Sequence, residues 1–309
     1  MLYNDYMQQV CNILCKQCTV CMGFGCIGEM PGMGGVNNNE NFQLNCKAWK
    51  EIRSQINENE ISKDKIKEIK IDKKNVYIAP VTGAEQNIGY KNEEDFYEPY
   101  VTSASKAGIG ISLGDGYPDE KLQFGINAVK NLQKTKSDAK VAVFLKPYPN
   151  NVLFERIEYC EDVAEIIGND IDAYNIATMR NVAHLEKKTV ASIAELRKRI
   201  RVPYALKGVF TQEDIELVKE TLPDIVVISN HGGRIETEKG STANFLKQHG
   251  KMLKNYCNQI WVDGGIRSRE DIQTAFLLGA DKVMIARPFI ISLAVNGIDG
   301  MIKTIENIT

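Results

Sequence analysis

The run Asp224-Ile225-Val226-Val227-Ile228, followed at once by Ser229-Asn230-His231-Gly232-Gly233-Arg234, decides how the rest of the chain is read. Ile225 to Ile228 are apolar without alternation, the mark of a strand buried on both faces of a parallel sheet. An imidazole and a guanidinium just past the end of such a strand sit where α/β barrels carry their chemistry. Neutral histidine accepts a proton near physiological pH. Arginine grips a carboxylate or phosphate through two parallel hydrogen bonds. The two glycines let the backbone turn tightly and approach a ligand.

Runs of the same kind recur on both sides. Strands are expected at 75–79, 108–113, 140–145, 171–176, 202–206, 224–228, 259–262 and 282–285. Amphipathic stretches at 93–107, 119–134, 152–167, 190–199, 212–220, 242–256 and 269–278 read as helices between them. This alternation of about eight strand–helix units predicts a (β/α)8 TIM barrel. A doubly wound open sheet would more often have about five or six strands, less evenly spaced.

The domain reading is a Cys-rich N-terminal arm at 1–45 and a barrel at 46–309. The arm is rich in Cys, Gly, Met and Asn and too short to fold alone without a staple. One helix is expected at 44–57, and the charged, isoleucine-bearing segment 63–71 reads as a hairpin covering the bottom of the barrel.

The chain has 309 residues, 43% of them hydrophobic, enough for a large core. A net charge of −2 gives no global reason to expect nucleic acid or a membrane surface. The sequence holds no run of about 18 apolar residues, so no membrane span is expected. Its start, Met1-Leu2-Tyr3-Asn4-Asp5, lacks signal-peptide regions. A cytoplasmic protein is expected, with cysteines serving as thiols or metal ligands rather than disulfides.

Other candidates fall at strand ends. Lys207-Gly208 can meet developing negative charge on a cofactor or substrate. Asp263-Gly264-Gly265-Ile266-Arg267 leads into a helix, and Ala286-Arg287-Pro288 into another. Glycines before a helix N-terminus, with an arginine, make a phosphate cradle, and the loops after strands seven and eight are where barrels bind phosphate.

In order and spacing, Lys207-Gly208, Ser229–Arg234, Asp263–Arg267 and Arg287-Pro288 resemble the FMN-dependent α-hydroxy-acid oxidase/dehydrogenase family, of glycolate oxidase and lactate oxidase type. The resemblance is strong over about residues 200–295 and weaker over 75–180, where Ala79-Pro80-Val81-Thr82-Gly83 is similar to the family's first flavin-contacting loop. It implies FMN as cofactor. It implies that His231 abstracts the substrate proton, Arg234 binds the substrate carboxylate, and Lys207 sits near flavin N1–C2=O. By the same resemblance Gly265, Arg267 and Arg287 hold the FMN phosphate, Asp263 orients a ribityl hydroxyl, and Ser229, Gly264 and Ala286 belong to the cofactor site. Family members are commonly homotetramers or larger, so a homo-oligomer is implied.

The sequence also departs from the family. Its fourth strand, expected at 171–176 and continuing Ala177-Thr178-Met179, has no carboxylate at its end to support His231, and Asp170 and Asp172 stand at the wrong end. A weaker base is expected without that support. The Asp that commonly follows the arginine is missing, leaving Glu236 and Glu238 as substitutes. Strand three ends Phe144-Leu145-Lys146-Pro147-Tyr148, so Lys146 or Tyr148 replaces the family's Gln-Leu-Tyr contacts. Arg180 and His184 are candidates for a second anion contact or base.

Cys15, Cys18, Cys21 and Cys26 place four thiols within twelve positions. This suits thiolate ligation of zinc or an iron–sulfur cluster, with a redox thiol pair as the alternative. The expectation is an FMN oxidoreductase acting on a small 2-hydroxy acid or related carboxylate, with an electron acceptor other than O2. A flavin barrel with altered reductase or isomerase chemistry, and a non-catalytic flavin-binding redox sensor, stay open beside it.

Overall fold

The computed structural model describes residues 40–58, 66–88, 90–176, 179, 182–235 and 237–309. Eight parallel strands form one sheet: β1 (Val76–Ile78), β2 (Ser112–Gly114), β3 (Val141–Leu145), β4 (Ala164–Asp170), β5 (Tyr204–Val209), β6 (Ile225–Ile228), β7 (Gln259–Val262) and β8 (Lys282–Ile285). Their order is β1-β8-β7-β6-β5-β4-β3-β2. Backbone bonds from Ile78 N to Gly110 O (3.0 Å) and from Gly110 N to Val76 O (2.8 Å) join the two end strands, so the ring nearly closes. This is the expected (β/α)8 barrel.

The helices are α1 (Glu40–Glu58), α2 (Tyr97–Ala107), α3 (Glu120–Gln133), α4 (Asn150–Cys160), α5 (Val190–Arg197), α6 (Gln212–Thr221), α7 (Thr242–Leu253), α8 (Arg269–Leu277) and α9 (Arg287–Ile308). Thr189, Thr211, Ser241 and Ser268 cap the N-termini of α5 to α8, each accepting a backbone N–H from the first turn. By length and hydropathy α9 would pass for a membrane span. It is broken at Gly297 (φ 66°) and buries Phe289, Ile290, Leu293, Met301 and Ile305, so it is a core helix.

Side chains alternate along each strand. One set packs outward against the helices, as Val143, Ile167, Leu206, Val226 and Val262 do. The other fills the barrel interior, with Tyr77, Phe144, Ile166, Ala205, Val227, Trp261 and Met284 in one cluster. Two residues further along each inward row come Ala79, Lys146, Lys207, Ser229, Asp263 and Ala286. Asp170 joins them, four residues beyond Ile166. Strand alternation alone therefore assembles a polar ring at the C-terminal mouth.

The fourth strand differs from expectation. It runs Ala164–Asp170, and the expected strand at 171–176 is a 3-10 turn, Ile171–Asn175. The expected helix at 152–167 ends at Cys160. Polar residues hid this strand: Glu165 lies near the barrel bottom, where it accepts a bond from the Tyr77 hydroxyl at 3.2 Å, and Asp170 pairs in register with Lys207. The consequence is chemical, because Asp170 and Asp172 now lie at the mouth end of the strand. Of the segment expected as a bottom hairpin, residues 66 and 67 are helical, 68 lies in a turn and 69–71 form no strand, while 63–65 lie outside the described residues. Helix α1 begins before the expected 44, and its residues 41, 42 and 45 are buried against the barrel.

Candidate active site

A cavity opens at the barrel mouth. It is lined by Ala79, Pro80, Val81 and Thr82 after β1, Lys146 after β3, Lys207 of β5, and His231, Gly232 and Arg234 after β6. Asp263, Gly264, Gly265, Ile266 and Arg267 after β7, with Met284, Ile285, Ala286 and Arg287 of β8 and α9, complete it. Ser229 alone among the residues expected in the barrel site does not line it. Its hydroxyl lies behind, donating to Asp263 Oδ2 at 2.9 Å and accepting from His231 N at 3.1 Å.

His231 stands on a short turn, His231–Gly233, with a left-handed backbone (φ 57°) that a side-chain-bearing residue adopts only when its surroundings hold it. Its Nδ1 lies 3.1 and 3.2 Å from the two oxygens of Asp172. A carboxylate only accepts, so Nδ1 carries the hydrogen and Nε2 is left as the basic nitrogen. Gly208 (φ 95°) makes this possible, because a Cβ there would overlap the Asp172 carboxylate. The supporting carboxylate expected to be missing is therefore present. The sequence reading placed it at the wrong end of a misplaced strand.

Lys207 is buried, with Nζ 2.8 Å from Asp170 Oδ1 and 3.8 Å from Asp263 Oδ2. Burial alone would lower its pKa, but the surrounding Asp170, Asp263 and Asp172 carboxylates outweigh that and raise it, keeping it cationic. Burial likewise pushes against an ionised Asp170, yet Lys207, His231 and Lys146 bring its carboxyl down to about 2. Burial raises Asp263, opposed by Lys207 and the Ser229 bond. Arg234 is lowered by burial to about 10, so it stays charged at neutral pH, and among the described residues it has no ion-pair partner.

Lys146 follows β3 and is 8% exposed. Its Nζ donates to the Asp115 carbonyl at 2.8 Å, while Arg156 holds the Asp115 carboxylate at 3.0 Å. Of the two candidates for the family's strand-three contacts, Lys146 reaches the cavity. Tyr148 turns away, donating to Gly116 O at 3.1 Å beneath the Arg156 guanidinium.

The far end of the cavity holds the residues expected to form an anion cradle. Gly264 (φ 93°) and Gly265 (φ 77°) turn the chain after β7, and Ser268 caps α8 just beyond. Two buried polar atoms there have no hydrogen-bond partner among the described residues: Arg267 Nη2 and Asp263 Oδ1. An unmatched cationic donor wants an anionic oxygen, and an unmatched carboxylate oxygen wants a hydroxyl. A phosphorylated polyol chain supplies both, so these residues fit FMN.

Other expectations lie elsewhere. Cys15, Cys18, Cys21 and Cys26 are outside the described residues, as are Arg180 and Glu236. His184 is exposed and does not line the cavity, and Glu238 is exposed on a loop. Sequence reasoning set Asp172 aside, although the carboxylate pair Asp170-x-Asp172 follows closely on the short stretch Val163-Ala164-Glu165-Ile166-Ile167. It read α1 as a helix but not as part of the site, where the Phe42 ring lies 4.2 Å from the Arg287 guanidinium and 5.7 Å from that of Arg267.

The family model of the FMN-dependent dehydrogenases matches residues 125–309. The chain is 33% identical over 114 residues to 2-hydroxyacid oxidase 2 of Rattus norvegicus, covering 37% of this chain and 32% of that protein. It is 31% identical over 146 residues to the L-lactate oxidase of Lysinibacillus sphaericus (strain C3-41), covering 47% and 37%. The matched region thus spans about a third of the length of these curated relatives. In fold the chain is similar to mandelate oxidase, with a TM-score of 0.59 at 21% identity over 75% of this chain and 71% of that one.

Proposed function

Since the chain belongs to the FMN-dependent dehydrogenase family, we propose that it oxidises a small 2-hydroxy acid, passing the electrons to an acceptor other than O2. The observation that carries this reading is the His231–Asp172 pair at 3.1 Å, at the mouth of the cavity that ends in the anion cradle. A base with its supporting carboxylate belongs to proton abstraction. Its presence removes the ground for preferring an altered reductase or isomerase chemistry.

FMN, when bound, supplies the hydride acceptor. Arg267, Arg287 and the backbone of Gly264–Gly265 would hold its phosphate, and Asp263 would take a ribityl hydroxyl. Ala79 to Thr82 form one wall. Lys207, fixed between Asp170 and Asp263, would offer a lasting positive charge to the cofactor ring. Arg234 binds the substrate carboxylate and orients the α-carbon. His231 Nε2 then takes a proton from the substrate, and Asp172 stabilises the resulting imidazolium through Nδ1–H.

The acceptor is read from the arm. Thiolates at Cys15, Cys18, Cys21 and Cys26 suit zinc or an iron–sulfur cluster, and a cluster would give electrons an exit other than O2. Replacing Cys18 and Cys21 by Ser should remove bound metal, and unaltered metal content would reject the site. A homo-oligomer in the cytoplasm completes the proposal.

The test is the absorption spectrum of anaerobically purified protein before and after L-lactate or glycolate. Flavin bands bleached by either acid are expected. Bands that neither acid bleaches would favour a flavin-binding sensor, and a colourless protein that cannot be reconstituted with FMN would reject the cofactor.

A further inference from the structure

We propose that Asn45 is a positioning residue that couples the His231 turn to the anion cradle, so that cofactor binding and alignment of the base depend on one residue of α1, its side chain holding the turn and its backbone carbonyl packed on the cradle. This rests on the reading that FMN fills the cavity. Asn45 lies on α1, far from the strands in sequence, and is fully buried. Its Nδ2 donates to Asn230 Oδ1 at 2.8 Å, and its Oδ1 accepts from Thr242 N at 3.0 Å. Its own carbonyl oxygen fills the place a Cβ on Gly265 would take. One residue therefore touches the loops after β6 and β7.

The Asn230 contact matters for His231. Asn230 Oδ1 also accepts from Gly233 N at 3.0 Å, capping the three-residue turn that carries the base. His231 holds a positive φ within that turn. A strained residue relaxes when its support is withdrawn. Loosening Asn230 would let the imidazole leave Asp172.

The rest of the same helix face does matching work. Asn41, four residues before Asn45, donates to Ile235 O and Glu238 O at 2.9 and 2.8 Å and accepts from Gly240 N at 2.9 Å. Trp49, four after, donates to Gly264 O at 2.9 Å. Arg53, four further, pairs with Asp271 at 2.8 Å. This spacing puts all four on one helical face, spent wholly on the segments around the site.

The informative variant is Asn45→Asp, which keeps the side chain's shape and the acceptor for Thr242 but removes the donor to Asn230. Lys50→Ala, on the exposed face of α1, is the control. Two readouts need no turnover: the FMN dissociation constant by flavin fluorescence, and the Nδ1–H signal of His231 by NMR, assigned with His231→Gln. Asn45→Asp should weaken FMN at least tenfold and abolish the His231 Nδ1–H signal even at saturating FMN, while Lys50→Ala changes neither. A folded Asn45→Asp protein with wild-type FMN affinity and an intact signal would overturn the coupling and leave the proposed function standing. Wild-type protein that binds no FMN would overturn both. If Asn45→Asp fails to fold, Asn45→Ser serves in its place, and its unchanged FMN affinity and signal would be equally fatal.

Discussion

Asp172 sets what His231 can do. With its oxygens 3.1 and 3.2 Å from Nδ1, it fixes the tautomer and offsets the charge that proton transfer creates. Asp172→Asn should slow anaerobic flavin reduction by roughly a hundredfold or more with FMN affinity nearly unchanged, measured by stopped-flow. Arg267→Ala should do the reverse, weakening FMN by roughly tenfold or more through loss of a charge-assisted contact, read by fluorescence titration. Asp170 answers to pH. Its carboxyl is held down at about 2 by Lys207 against the cost of burial, so its contribution is complete above the unfolded value and disappears as pH falls through the folded one. Urea midpoints should drop between about pH 4 and pH 2, and Asp170→Asn should lack that part of the acid limb. Two of these residues show how legible the site was. Arg267 was readable because a glycine pair and an arginine before a helix have one common use. Asp172 was not, because a carboxylate is functional only at the correct end of a strand, and that end depended on where β4 begins.

Strands and helices were readable where their polarity was simple. β7 and β8, short and apolar at their centres, fall at the expected 259–262 and 282–285. β4 escaped because it carries Glu165, Gly168, Asn169 and Asp170 among few apolar residues, and barrel register rather than hydrophobicity fixes its ends. Helix α1 was legible as a helix but not as part of the site, since its partners lie in distant sequence. Its closeness to the β7 loop makes Gly265 intolerant. Gly265→Ala should force α1 off the loop and a left-handed backbone onto alanine. A loss on the order of 2–4 kcal/mol is expected, with a lower Tm and weaker FMN retention. An unchanged Tm would mean that α1 does not pack as described.

The molecule as a whole is a barrel whose mouth is finished by a helix outside the repeating strand–helix pattern. The contacts that seat this helix span 185 residues between Asn45 and Asn230 and 218 between Arg53 and Asp271. Contacts this remote form late, because long loops must close first. They also give synthesis an order. At ~5–20 residues per second, α1 leaves the ribosome roughly ten to forty seconds before the segments that receive it. Through that interval Trp49 and Ile52, both buried in the finished fold, have no site to occupy. The helix made before the barrel is thus among the last pieces to be seated, and cofactor loading must wait for the β6 to β8 segments to be translated.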